Sequence, residues 1–260
     1  MNFLTTTKKI LWRGLHRLGY TVHRNDESDY PDQQRLLTDK PPEVIFDIGA
    51  NRGNTVQRYR TLFPKATIHA FEPIPALAAS LQDRFSTDQG LHVHQCAISS
   101  SQGHATFNVN TAIDTSSLLD SSVGTLSESY QHIMSRASEI TVKTYTLDRF
   151  CSDNSIDAIH ILKMDIQGAE LYALQGAEEL LNRKRIHLIY TELFLQPFYN
   201  SQPLFGEVAA FLGQRDYVLH NIYNISFRGH SGKCGWVDAI FVHPDLRHRS
   251  RAMLAEDAAL

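Results

Sequence analysis

The chain has 260 residues, 42% of them hydrophobic and 20% charged, with 25 Lys+Arg against 28 Asp+Glu. This composition excludes a disordered or collagen-like chain and suits one large domain with a short appendage. No apolar run reaches the roughly 18 residues of a membrane-spanning helix, and a net charge of −3 gives no overall nucleic-acid footprint.

The charge is unevenly divided: residues 1–24 hold Lys8, Lys9, Arg13, Arg17 and Arg24 and no acid, so +5 precedes −8. Leu4, Leu11 and Leu18 recur every seven residues, with Leu15, Ile10 and Trp12 beside them, which predicts a basic amphipathic helix over 1–24. Such a helix attaches peripherally to an anionic membrane face or packs on the domain or a second subunit. Gly14 and Gly19, each costing ~1 kcal/mol inside a helix, favour packing. The segment lacks the apolar stretch and cleavage site of a secretory signal. Cys96, Cys151 and Cys234 are odd in number and far apart, against a disulfide framework or a zinc site. A cytoplasmic protein is expected, peripheral at the inner membrane face if residues 1–24 bind lipid. Residues 25–42, polar, acidic and closed by Pro41 and Pro42, read as a linker to a domain over 43–245, and 246–260 read as a frayed tail.

Within the domain, short β-like runs alternate with helical ones. VIFDI (44–48) has the length of a buried strand, 54–63 of a helix ended by Pro64, and ATIHAFEP (66–73) of a second strand. Leu77, Leu81 and Phe85 mark a helix face, and LHVHQCAIS (91–99) a third strand. The alternation predicts βαβ units, hence a parallel sheet with helices on both faces. It breaks at ATFNVN (105–110) and ITVKTYTLD (140–148), strands bracketing a Ser/Thr-rich insertion of the length typical of lids and binding loops. It resumes with AIHILKMDI (158–166), a helix over 169–182 interrupted by Gly176, IHLIYTEL (186–193), a helix opened by Pro203, and strands over 217–222 and 236–243.

The first strand runs into Asp47-Ile48-Gly49-Ala50-Asn51-Arg52-Gly53 and a helix, and the second ends at Glu72. Glycines allow a tight turn and close approach to a ligand, and an acid about twenty residues on is placed to accept from ribose hydroxyls. A dinucleotide calls for G-x-G-x-x-G at the helix N-terminus. Here Asp47 precedes the first glycine by two residues, and a carboxylate facing the crevice repels phosphate but pairs with an ammonium or sulfonium ion. The pattern favours S-adenosylmethionine over NAD.

VIFDIGANRGN, IHAFEPIP, AISSSQGHATFNV, TLDRF, ILKMDIQGAE, IYTELFLQPFYNSQP and WVDAIFV together resemble the FkbM-type methyltransferases over roughly residues 40–245. The resemblance implies a class I methyltransferase (Rossmann-like) α/β fold: a seven-stranded, mostly parallel sheet whose last strand is antiparallel. It also implies S-adenosylmethionine as donor and a hydroxyl acceptor on a sugar, glycan or glycosylated small molecule. Carried over by position, Asp47, Gly49, Ala50, Asn51 and Gly53 shape the methionine pocket, Glu72 with Pro73 holds the ribose, and Cys96-Ala97 lies near the adenine. Asp165 borders the transferred methyl group. Gln167 stands where acidic residues are frequent in this family.

Asp165 and Glu192, at strand ends, are the candidate general bases, with His220 and Asp238 behind them. Asp165, Glu170 and Glu192 have oxygens suited to Mg²⁺, but spacing does not assemble them, and Glu170 reads as a first-turn helix acid; no metal is expected. His69, His92 and His94 read as structural. Acceptor recognition is assigned to the 111–139 insertion and the 193–203 loop, with Phe194, Phe198 and Tyr199 stacking on a sugar and Gln196, Asn200 and Gln202 bonding its hydroxyls. The competing readings are an NAD-dependent oxidoreductase and a non-catalytic adaptor keeping the fold. Nucleic-acid binding is not expected of a domain this acidic.

Overall fold

The computed structural model describes residues 28–122, 128–228, 233–243 and 246. The amphipathic helix read at 1–24 and nearly all of the tail lie outside these residues.

Seven strands form the main sheet: β1 (Val44–Ile48), β2 (Thr67–Phe71), β3 (Leu91–His94), β7 (Ile159–Met164), β8 (Ile186–Phe194), β9 (Val218–Arg228) and β10 (Lys233–Val242). Their order is β3-β2-β1-β7-β8-β10-β9, with β10 antiparallel to both neighbours and the other pairs parallel. That is the expected class I arrangement, including its antiparallel last strand. The chain works outward from β1 to β3, then returns to β7 on the other side of β1, so β1 and β7 flank the point where the order reverses. Ligands of open α/β sheets bind there, outside the carboxyl ends of the strands.

Helices cover both faces. On one, Ile45, Ile68, Ile161, Leu188 and Ile240 pack with Val56 and Tyr59 of α2 (Asn54–Leu62) and Leu81 of α3 (Pro75–Arg84). On the other, Phe46, Leu162, Ile189 and Phe241 pack with α5 (Leu147–Asp153), α6 (Glu170–Gln175), α7 (Glu178–Asn182) and α8 (Phe205–Gly213). The helix expected over 169–182 is two short ones. At Gly176, between them, a Cβ would come within 2.2 Å of the Ser99 carbonyl oxygen, so only glycine lets the chains approach.

The third strand is shorter than expected. The chain leaves the main sheet after His94 and re-enters β structure as β4 (Ala97–Ile98) of a separate three-stranded sheet, ordered β4-β6-β5. β5 (Gly103–Asn110) and β6 (Arg136–Tyr145) pair antiparallel, and a short helix, α4 (Glu128–Ile133), precedes β6. The insertion is thus anchored on its own hairpin. His69 and His94 share a hydrogen bond of 3.0 Å. Burial and neighbouring histidines hold them down to about 3 and about 4, so both stay neutral.

The linker expectation for 25–42 is corrected. It contains α1 (Asp29–Leu36), and Leu36 and Leu37 enter the core with Tyr59 and Ile161. The polar residues that suggested a linker face buried partners instead. Asp29 accepts from the Tyr190 hydroxyl, Asp32 pairs with His220 at 2.8 Å and accepts from Tyr223, and the Gln33 amide oxygen accepts from Tyr59 at 2.9 Å. Leu246, assigned to the tail, is also buried in this core. Leu37 is 2% exposed, so Leu37→Ala is expected to cost about 2–5 kcal/mol in urea denaturation. A cost near zero would mean that α1 is a tether only.

Candidate cofactor cleft and active site

β1 delivers its turn at the sheet's point of reversal. Gly49, Asn51 and Gly53 take positive φ values of 78°, 48° and 81°. A Cβ on Gly49 would lie 2.0 Å from the Asp165 carbonyl oxygen, so the turn can pass against the end of β7 only as glycine. Gly53 plays a different part. It caps α2 and packs against Leu81 and Phe85 of the α3 region, outside the cleft lining.

Two lobes open around this turn, sharing Gly49, Asn51, Asp114 and Asp165. The apolar lobe, about 560 Å³ including space open to solvent, lies between Phe71, Glu72, Pro73, Ile74, Leu77, Cys96, Ala97 and Phe107. The polar lobe, about 650 Å³ and partly open to solvent, is walled also by Ala50, Arg52, Thr55 and Lys163. Glu72 is 4% exposed; one carboxylate oxygen accepts from Asn51 N at 2.9 Å and the other from Ile74 N at 2.8 Å. Each oxygen retains capacity for a further donor, which suits a pair of hydroxyls. Cys96 is buried, and burial pushes its thiol up to about 11, so it is a neutral wall of the lobe.

Asp47 does not face the crevice, contrary to the expectation. It is fully buried and lies 3.0 Å from Lys163 Nζ, which also donates to the Gly49 carbonyl at 3.2 Å. Burial opposes the lysine charge, but Asp47 and Asp165 hold its ammonium above the ordinary lysine range. The partner of the motif carboxylate is therefore the chain's own ammonium. Sequence reasoning missed Lys163, although a lysine inside the apolar run ILKMDI was a visible signal. It also missed Asp114, whose carboxylate accepts from Asn51 Nδ2 at 2.8 Å and brings the insertion over the cleft.

Asp165 and Glu192 are brought together. Gln167 Nε2 donates to Asp165 Oδ1 at 2.8 Å and to Glu192 Oε2 at 2.9 Å. Burial, then the charges of Asp165, Glu170 and Asp238, push Glu192 well above the usual carboxylate range. Asp238 lies opposite Glu192 in the β8–β10 register and bonds Tyr190 and Asn224. His220 is instead committed to Asp32 and α1, away from the pair. Glu170 accepts from Ile166 N and Gly168 N, fixing the turn after β7 rather than serving only as a helix-end charge. The stacking role given to the loop aromatics is corrected: Phe194, Phe198 and Tyr199 are 4%, 2% and 1% exposed and pack with Trp236 and Met134. The Gln202 oxygen accepts from Phe198 N and Tyr199 N, and Asn200 bonds Ser122.

The Methyltransferase FkbM domain matches residues 47–219 of this chain. The chain belongs to that family. It is 32% identical over 171 residues to the 2-O-methyltransferase NoeI of Sinorhizobium fredii, covering 64% of this chain and 69% of the relative. It is 26% identical over 199 residues to the 31-O-demethyl-FK506 methyltransferase FkbM of Streptomyces tacrolimicus (69% and 74%). It is 26% identical over 153 residues to the hexuronic acid methyltransferase AglP of Haloferax volcanii (58% and 57%). Among solved structures, a methyltransferase FkbM from Methylobacillus flagellatus superposes with a TM-score of 0.48 at 16% identity, over 76% of this chain and 44% of that one. The protein is an S-adenosylmethionine-dependent methyltransferase. The cleft fits that cofactor: an apolar lobe with a hydroxyl-accepting carboxylate adjoins a polar lobe with charges of both signs, across a turn with no room for a side chain.

Glu170 gives the site a pH signature. Burial raises its carboxyl to about 7 from the ordinary 4.5, so the folded state holds its proton more tightly than the unfolded state. That contribution is complete below pH 4.5 and is lost as pH rises through 7. Glu170→Gln keeps an oxygen for the two backbone donors, so the stability of wild type relative to this variant is expected to fall between about pH 4.5 and 7 in urea denaturation. A difference that does not change with pH would contradict the assignment.

Proposed function

We propose that this methyltransferase acts on a hydroxyl of a sugar, a glycan or a glycosylated small molecule. The observation that carries the reading is the pair of carboxylates bridged by Gln167: Asp165, which lines the cofactor cleft, and Glu192 beside it. A hydroxyl is a weak nucleophile until its proton is taken, and a positioned base contributes roughly 10²–10⁴-fold. Glu192 serves as that base. Burial and the neighbouring carboxylates raise its affinity for a proton, which is what the step asks it to take. Asp165, which walls both lobes, borders the reacting centre. Bound in the cleft, S-adenosylmethionine supplies an electrophilic methyl group. Glu72 and Pro73 would receive its ribose, Cys96 and Ala97 would flank its base, and Ala50, Asn51 and Lys163 would surround its amino acid portion. Orienting two reactants this way can contribute ~7–11 kcal/mol.

The acceptor class draws support from relatives named for 2-O-methylation and for methylation of a hexuronic acid. Incubation with methyl-labelled cofactor and a panel of oligosaccharides, uronic acids, glycosylated small molecules, amines and RNA tests the reading. Label on carbohydrate is expected, with Glu192→Gln keeping its affinity for S-adenosylhomocysteine while losing roughly 10²–10⁴-fold in turnover. Label confined to amines or RNA would overturn the acceptor class, and full turnover of Glu192→Gln would overturn the base.

A further inference from the structure

Gln167 is held from four sides. Its backbone is left-handed, with φ 56°, which costs energy for a residue with a Cβ and persists where neighbours enforce it. Its carbonyl accepts from Ser117 Oγ at 2.8 Å, a contact from the insertion. Its side-chain oxygen accepts from the Tyr199 hydroxyl at 2.9 Å. Its nitrogen spends both hydrogens on the two carboxylates, and two acceptors on that side fix which way the amide points.

This arrangement dictates where protons can reside. Asp165 Oδ1 and Glu192 Oε2 each accept an N–H and so carry no hydrogen of their own, which leaves Glu192 Oε1 open to exchange a proton. The charged and titratable groups around Glu192 are Lys163 of β7, Asp165 just beyond it, Glu170 of α6 and Asp238 of β10. Tyr199, from the loop after β8, meets the same amide. Among these acids the amide takes the place a cation would occupy, attracting both carboxylates without adding charge.

We propose that Gln167 is a positioning residue of the active site: its amide clamps Asp165 to Glu192 and leaves Glu192 Oε1 as the atom that takes the acceptor's proton. The O–H bond of the acceptor would break with its electron pair kept on oxygen for the new bond to the methyl carbon, the carbon–sulfur bond of the sulfonium would break with its pair left on sulfur, releasing S-adenosylhomocysteine, and the proton would end on Oε1. The inference rests on the reading of Glu192 as the base.

Carboxyl ¹³C NMR titration of full-length protein labelled in glutamate tests it, with Glu192→Gln assigning the resonance. Gln167→Met keeps length but removes both donors, and Gln167→Glu keeps shape but substitutes a third carboxylate. In both, Glu192 is expected to titrate higher than in wild type, by about one unit or more, since a hydrogen bond to a charged group is lost. Gln167 also lines the apolar lobe, so pH–rate profiles are compared at saturating S-adenosylmethionine, with the affinity of each variant for S-adenosylhomocysteine read by calorimetry. The acid limb of the pH–rate profile is expected to move with the titration while the KM for acceptor holds. An unmoved Glu192 titration in Gln167→Met would overturn the role of Gln167, even if Glu192→Gln confirms the base. Full turnover of Glu192→Gln would overturn the base, whatever Gln167 does to the titration.

Discussion

The site depends on one buried ion pair. Asp47 of β1 and Lys163 of β7 are register partners in adjacent parallel strands, and both are all but excluded from water. Stranding either charge alone there would be strongly unfavourable, so the pair holds the two strands in a single register. β1 and β7 are the strands between which the sheet order reverses, and Lys163 also grips the carbonyl of Gly49. The same lysine therefore fixes the strands, the turn and one wall of the polar lobe. The contact between Gly49 and the Asp165 carbonyl follows from that register.

From this pair outward, one face of the sheet is unusually rich in acids. Asp47, Glu192 and Asp238 alternate onto the face that α1 covers, and α1 adds Asp29 and Asp32. All five have partners: Lys163 for Asp47, Gln167 for Glu192, His220 and Tyr223 for Asp32, and Tyr190 and Asn224 shared between Asp238 and Asp29. Desolvation, then nearby carboxylates (Asp165 for both, Glu170 and Asp238 for Glu192, Asp29 for Asp238), raise the proton affinity of Glu192 and of Asp238. Asp29 of α1, the helix that precedes the family-matched region, adds to the negative charge around Asp238.

Much of the scaffold was legible in the sequence because local pattern and tertiary role agree there. VIFDI and AIHILKMDI read as buried strands because both faces of the sheet are covered, and the glycine turn announced itself by composition. Glu72 and Cys96-Ala97, picked out by motif position, do line one lobe of the cleft. What failed did so where a polar residue's partner lies far along the chain. Asp29 and Asp32 looked like linker acids because Tyr190, His220 and Tyr223 are about 160 to 190 positions away. The loop aromatics looked like a sugar platform because nothing local shows that Met134 and Trp236 bury them. Gln167 looked like a departure from the family pattern, while in space it is the link between two acids.

The mechanism proposed for this enzyme requires the cofactor to occupy the two-lobed cleft where the sheet order reverses, with the insertion closing over it through Asp114. Hydrogen–deuterium exchange of the full chain with and without S-adenosylhomocysteine tests this most directly. Slowed exchange is expected in residues 48–53, 72–74, 96–98 and 113–118, with little change in β9 and α8. Protection confined to other segments, or none at saturating ligand, would contradict it.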